Sequence, residues 1–451
     1  MSTSGNESAV LAAQRELAGW AAALGWSDVP EAVRRRLELV LFDALGVTAV
    51  GGRLPERAAL VEAWDPPPGH CPLLGTPVRT TPDVAAWLNG GAMVSLELDE
   101  GSKFAAGHPA AHGFPSVLAL AAHLDADGPA TATALLVAYE VAARFGRATR
   151  LRAGTHPHGN WGLTGAAAGC ARLLGLSADA ISAAIDTAAG MPIAGPFVAA
   201  TSGNQVRNEW MGMSNAAGLA AARLAAAGMA TATGIAAHSL GEILGSFDPT
   251  LLTDELGTRW EVELGYFKRH SSCAFTHPAA DATLALRRRI DLGAISTIDV
   301  DTYGMAATLA ATTWRNRLSA MFSIPFVVAA ALTFGRVQPS GFGPDQLTDP
   351  GLLALAGKVR VRRSTEFDAG LPDHRGARVT VTFGDGHTDS EAVTDPVGDA
   401  AFQPLDSSDV TALLTGLLDS DTAARIRAAA ADLLTTPSAR STLASIDHPI
   451  D

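Results

Sequence analysis

The chain has 451 residues, 46 acidic against 33 basic, for a formal charge of −13. At 47% hydrophobic and 18% charged, it is too apolar for a disordered chain and long enough for two or three domains. The diffuse acidity argues against nucleic acid and anionic membranes as partners, because both need a basic face, but a small anion in one locally basic cleft is compatible with it.

The first twenty residues carry no basic stretch followed by an apolar one, so no signal peptide is expected. Glu31 to Gly52 places Leu37, Val40, Leu41, Ala44 and Leu45 on one helical face, with Gly51-Gly52 as its stop. Helices are also expected over 115–126, 130–147, 162–174, 177–189 and 214–227. Their faces are rich in Ala and Gly, which lets helix axes approach closely. The Ala-rich stretch 215–236 is broken by Arg223 and several Gly and is too weakly apolar to span a bilayer. After about residue 260 the period changes to two. Ile298, Val300 and Thr302 alternate with polar neighbours, as do Val359 and Val361, and Val379, Val381 and Phe383, with Asp385-Gly386 as a hairpin turn. Helical patterns at 280–290 and 324–334 lie between these strands, and from Ser407 the pattern is helical again. The expected fold class is mainly α with an α+β part. A large all-helical domain takes 1–264 and 396–451, and a smaller α+β lid domain takes 265–395.

Four polar clusters interrupt this apolar sequence. The first runs from Glu97, Asp99 and Glu100 to His108 and His112. The two His are four apart, but Pro109 keeps both from sharing one helical face and no His-Glu-x-x-His pattern is present, so no metal site is expected. The second, Thr155-His156-Pro157-His158, precedes an Ala-rich helix whose free N–H groups suit a carboxylate, beside a His suited to proton transfer. The third holds Arg207, able to grip a carboxylate with two N–H groups or to pair with Glu209. The fourth is Lys268-Arg269-His270 followed by Cys273 and His277, locally basic in an acidic chain. Cys273 and His277 show no third orienting group for nucleophilic chemistry. Ser239 lacks the Gly two residues earlier that a nucleophile elbow needs. The three cysteines, Cys71, Cys170 and Cys273, have neither disulfide-framework nor zinc-knuckle spacing. A soluble, reduced, cytoplasmic protein is expected, with one positive pocket.

Read together and in order, these clusters resemble the MmgE/PrpD family, which includes 2-methylcitrate dehydratase, cis-aconitate decarboxylase and an iminodisuccinate epimerase. The pieces are LELDEG with HPAAHGFPSVLALA, THPHGNWGLTGAAAGCARLLGLS, the step from Arg207 to Gly212, FKRHSSCAFTHPAADA and MFSIPFVVAAAL, collinear over roughly residues 10–435. The resemblance implies a homodimer without metal or organic cofactor and an active site between a helical domain and a lid. It places catalytic roles on His112, His277, His156 and Asp99. Substrate contacts fall on Glu97, Arg207, Lys268, His270 and Phe326. Arg207 stands where the family has Lys, and Phe326 where it often has Tyr. The decarboxylases' usual Asp-Asp-Thr is missing, and residues 102–107 form an insert. The implied activity is cofactor-independent proton abstraction α to a carboxylate on a small di- or tricarboxylate, by a hydro-lyase first. An epimerase, a decarboxylase, or a homologue repurposed to a less polar substrate are the alternatives.

Overall fold

The computed structural model describes residues 3–446. Residues 1–2 and 447–451, which belong to the expected helical domain, lie outside the described residues. Two hydrophobic clusters divide the interior. One gathers side chains from Val10 to Phe267 and again from Val410 to Ile446. The other runs from Cys273 to Val381 and also takes in Ala200.

The larger cluster is made of stacked helices: Thr3–Ala23, Glu31–Gly52, Pro82–Met93, Pro109–Leu124, Gly128–Ala148, Leu163–Leu173, Ala178–Ala189 and Val206–Ala226. Small residues set their spacing. A Cβ on Gly165 would stand 2.3 Å from the Ala138 carbonyl oxygen, and one on Gly218 would stand 2.3 Å from Ala166 Cβ. Helix Glu31–Gly52 is buried at every position from Val40 to Ala49 rather than on one face. The helix ends at the expected glycine pair, Gly51 and Gly52 being its last two residues. A Cβ on Gly51 would be 2.1 Å from the Ala92 carbonyl oxygen, so these glycines also serve close packing.

Two helix starts move upstream of the sequence expectation. Pro109, not Pro115, begins its helix, because a first-turn proline lacks only a donor that would be orphaned anyway. Pro115 inside the helix frees the Ala111 carbonyl, and Asn215 fills the gap. Its Nδ2 donates to Ala111 O at 2.8 Å and its Oδ1 accepts from Ser116 N at 2.9 Å. The helix expected from Ser214 begins at Val206, which puts Arg207 in its first turn.

The smaller cluster lies under a four-stranded sheet in the order Val359–Arg363, Ile295–Thr302, Ala377–Phe383, Thr388–Val393. The first pair is parallel and the others antiparallel, with Ile298 facing both Val359 and Val381. Ile298, Val300, Ala377, Val379 and Val381 point inward, toward helices His277–Arg287 and Ile324–Phe334. Asp385-Gly386 makes the hairpin turn, with Gly386 at φ +89°. The C-terminal helices Ser407–Thr415, Ser420–Asp432 and Ala439–Ala444 return to the helical body. Leu414 sits over Gly46, and Arg440 Nε donates 2.8 Å to Ala122 O.

Gly101 and Tyr266 exchange backbone hydrogen bonds of 3.0 and 2.7 Å at the end of the larger cluster's first span. Polar contacts from the acidic loop then reach beyond it. In the 102–107 insert, Lys103 Nζ reaches Asp399 at 2.8 Å, and its carbonyl accepts from Arg375 at 2.8 Å. Among the described residues no helix is long and apolar enough to cross a membrane. Gly165→Ala tests the close packing. It should cost about 1–3 kcal/mol through overpacking, seen as a lower urea midpoint with an unchanged m value.

Candidate active site

The acidic loop leaves helix Pro82–Met93 and delivers three groups into the interior before helix Pro109–Leu124 starts. Glu97 adopts φ +50°, a left-handed conformation unusual for a residue with a side chain. Its carboxylate lies between two cations, forming an ion pair with Arg207 Nη1 and standing 3.1 Å from Lys268 Nζ. Asp99 Oδ1 is 3.6 Å from the same ammonium. Arg207 and Lys268 are 1% and 0% exposed, so neither could remain charged there without these partners. Burial works against the Lys268 ammonium, but Glu97 and Asp99 outweigh it and hold the proton more tightly than usual.

His108 is the residue just before the helix. Its Nδ1 faces two acceptors, Glu100 O at 2.7 Å and Asp99 Oδ2 at 3.0 Å. Nδ1 therefore carries a proton, and a neutral ring keeps its lone pair at Nε2. Burial disfavours the Asp99 carboxylate, yet His108 and Lys268 together keep it below the usual carboxylate range. Asp99–His108 is thus an acid–imidazole dyad of the kind that orients a general base.

Arg207 spreads its remaining contacts over the opposite wall. Nη1 reaches Asn208 Oδ1 at 3.1 Å, Nε lies 3.3 Å from His156 Nε2, and the guanidinium sits 5.2 Å from the Phe322 ring centre. His156 rests on Phe197, rings stacked at 5.4 Å, and its Nδ1 accepts 3.1 Å from the His158 backbone N–H. Both ring nitrogens of His156 thus face N–H donors, and a neutral imidazole can accept at only one of them. His158 meets His156 edge-on at 4.4 Å and His108 at 5.5 Å. Burial first, and Arg207 next, push His156 and His158 well below the ordinary imidazole range.

The other expected residues stand further back. His112 Nδ1 contacts Ser214 Oγ at 2.7 Å, and its ring packs on Trp161 and over Gly162, where a Cβ would come within 2.1 Å. Burial, then His108, pushes it down to about 3. His270 and His277 form a separate edge-on pair at 5.1 Å, with His270 Nε2 held 2.9 Å from Asp281 and His277 Nε2 3.2 Å from Ser272 O. Phe326 lies in the smaller core between Trp314 and Phe342 at 4.7 and 4.9 Å. The aromatic ring that meets Arg207 is Phe322, four residues earlier, in the break between helices Arg317–Met321 and Ile324–Phe334. Among the described residues no set of three or more His, Cys, Asp or Glu side chains could share a metal ion. Ser239 Oγ donates 2.6 Å to Ala189 O inside a helical turn.

Two residues of the cluster, His108 and His158, belong to polar clusters visible in the sequence but carried no catalytic or binding role there. The signal for His108 was Pro109: a proline in the first turn makes the preceding residue the last of the loop, facing whatever the loop encloses. A positive pocket was expected, but the two fixed cations are matched by Glu97 and Asp99. Below the cluster lie Asp43 and Glu100, joined through the Glu100 N–H to Asp43 Oδ2 at 3.1 Å, with Tyr139 O–H donating 2.7 Å to Glu100. Burial and the neighbouring Asp99 push Asp43 up to about 8; burial first, and both acids after it, raise Glu100 likewise to about 8.

The MmgE/PrpD N-terminal domain matches residues 15–249, and the C-terminal domain of the same family matches residues 270–434. The chain belongs to the MmgE/PrpD family. It is 28% identical to the cis-aconitate decarboxylase-like protein oryM of Aspergillus oryzae over 96% of each chain. It is 26% identical to a cis-aconitate decarboxylase of Aspergillus terreus over 85% of each.

The buried groups set a pH signature. His112, His156, His158 and His277 lie below their ordinary value, so below about pH 6.5 the unfolded chain binds more protons and stability falls with pH. Asp43 and Glu100 lie above theirs, so the folded chain holds more protons and stability is lost as pH rises toward about 8. Urea midpoints should peak between pH 6 and 7 and fall on both sides, and Asp43→Asn should flatten the alkaline limb. A midpoint still climbing from pH 7 to 8.5 would contradict the raised carboxyls.

Proposed function

We propose that the protein is a lyase acting on a small polycarboxylate, with proton transfer at the carbon next to a carboxylate. The observation that carries this is the Asp99–His108 dyad set beside two buried cations, Arg207 and Lys268. A proton α to a carboxylate is weakly acidic, so its removal needs fixed positive charge to stabilise the doubly charged intermediate. Arg207 and Lys268 supply that charge in a site closed to water, at groups 1% and 0% exposed. His108 Nε2 takes the proton, with Asp99 stabilising the imidazolium that forms. The C–O bond to the substrate hydroxyl then breaks, the hydroxyl leaves as water after gaining a proton, and an alkene conjugated to the carboxylate remains. His277, buried and held well below the ordinary imidazole range, has no proton to give near neutral pH, so the imidazolium formed at His108 returns its proton to the leaving hydroxyl. In this reading His108 takes the base role, while His112 supports it from behind through His158.

A second reading is decarboxylation, favoured by the names of the relatives, both of the cis-aconitate decarboxylase kind. The same cations would then hold a retained carboxylate while the departing one leaves as carbon dioxide and an imidazolium protonates the carbanion. The homodimer and the absence of a cofactor remain part of this proposal.

Purified protein supplied with 2-methylcitrate, citrate and cis-aconitate separates these readings. New alkene absorbance without gas favours the hydro-lyase, and carbon dioxide release favours the decarboxylase. Deuterium incorporation into unchanged iminodisuccinate would instead mark an epimerase. His108→Ala should lower kcat/KM by about 10²–10⁴ with the circular dichroism spectrum unchanged. Near wild-type turnover in that variant would remove His108 from the chemistry.

A further inference from the structure

Lys103 is a buried ammonium outside the ion pairs of the site. It lies in the 102–107 insert, is 7% exposed, and has its Nζ 2.8 Å from Asp399 Oδ2 and 2.7 Å from Asp373 O. Its backbone carbonyl accepts from Arg375 Nη2 at 2.8 Å. The ring centres of Phe402 and Phe104 stand 4.9 and 5.4 Å from the ammonium. The groups that grip Lys103 belong to the sheet's side of the molecule. Asp373 and Arg375 precede strand Ala377–Phe383, and Asp399 follows strand Thr388–Val393. Asp399 is itself fixed, because its Oδ1 accepts from Ala401 N and Phe402 N at 2.9 and 3.2 Å. Val397, just before it, donates 2.9 Å to Asp281 on helix His277–Arg287.

The other face of the insert is built against the site. Ser102 and Gly107 exchange backbone hydrogen bonds of 2.8 and 3.2 Å, so the insert is a closed loop between Asp99 and His108. A Cβ on Gly107 would lie 2.4 Å from the Trp161 ring and 3.5 Å from Pro157 Cβ. This end of the loop therefore presses on the wall that carries His112, whose ring packs on Trp161, and His156, the neighbour of Pro157. Ala106 sits at φ +53° and Glu97 at φ +50°, left-handed conformations disfavoured for residues with side chains. Such a backbone persists only where its surroundings fix it. The acidic loop thus depends on its anchors, and Lys103 supplies one on the sheet's side.

We infer that Lys103 is a positioning residue: its ion pair with Asp399 makes the placement of the Asp99–His108 dyad depend on the docking of the sheet's side onto the helical body. Glu97, Asp99, His108, Arg207 and Lys268 are each 8% exposed or less, so a substrate reaches them only when the two sides part. Parting breaks the Lys103–Asp399 pair and frees the strained loop. Docking restores the pair and sets His108 between Asp99 and the Glu100 carbonyl. The inference rests on the reading of His108 as the base.

Lys103→Met removes the charge and keeps an apolar stem, Asp399→Asn removes the counter-charge, and Lys103→Arg keeps the cation. Hydrogen exchange on the full chain, read by mass spectrometry, should be about tenfold faster or more over residues 98–112 in Lys103→Met and in Asp399→Asn, and unchanged in helix Leu163–Leu173. With whichever polycarboxylate the wild type turns over, both variants should lose about tenfold or more in kcat at little change in KM, and the double variant should lose no more than the worse single one, because both act through one contact. Lys103→Arg should recover most of kcat. Unchanged exchange over residues 98–112 would overturn the inference. So would faster exchange in helix Leu163–Leu173 as well, or a raised KM at wild-type kcat; in these cases the proposed chemistry stands. A wild type inactive on every polycarboxylate offered removes the base role of His108, and the inference falls with that reading.

Discussion

Two buried cations sharing one buried carboxylate is the constraint from which the rest of the site follows. Arg207 rides on a helix packed by glycine and alanine contacts, and Lys268 on the segment that passes from one hydrophobic core to the other. Neither could be taken out of water alone, because the loss of hydration would exceed any single neutral hydrogen bond. The loop after helix Pro82–Met93 must therefore turn its acids inward. Once Glu97 is drawn between the cations, Asp99 follows two residues later, and His108 is caught between Asp99 and the Glu100 carbonyl.

Much of the fold could be read from periodicity and composition. The strand Ile298–Val300–Thr302 and the helix Ile324–Phe334 stand where the patterns put them, because each buries the residues its period selects. Helix ends were less legible. Gly51-Gly52 does close its helix, but only the neighbouring helix shows that the glycines are contact points as well. Pro115 looks like a start, and only Asn215, a hundred residues away, shows how the helix continues through it.

For the site, charged residues were easier to find than imidazoles. Glu97, Asp99, Arg207 and Lys268 stood out as charges in apolar surroundings, and the structure brings all four together. Which histidine faces them depends on partners remote in sequence. His112 is taken by Ser214 and Trp161, while His108 is left to the loop. Phe322 and Phe326 pose the same problem, four residues apart with opposite surroundings. The local basicity around Lys268 was real, but its counter-charges lay in a different cluster, so the sum could be taken only in three dimensions.

The paired acids beneath the site alter how the chain's charge should be counted. The formal −13 treats every carboxyl as ionised. Asp43 and Glu100, each pushed up to about 8, keep their protons in the folded protein near neutral pH, and Glu140, raised by burial to about 7, does so in part. The folded chain is therefore less negative than its composition says. Unfolding at mildly alkaline pH releases these protons into the buffer, so the heat of unfolding includes the buffer's own heat of protonation. The same protein melted in phosphate and in Tris has two different calorimetric enthalpies for one structural event.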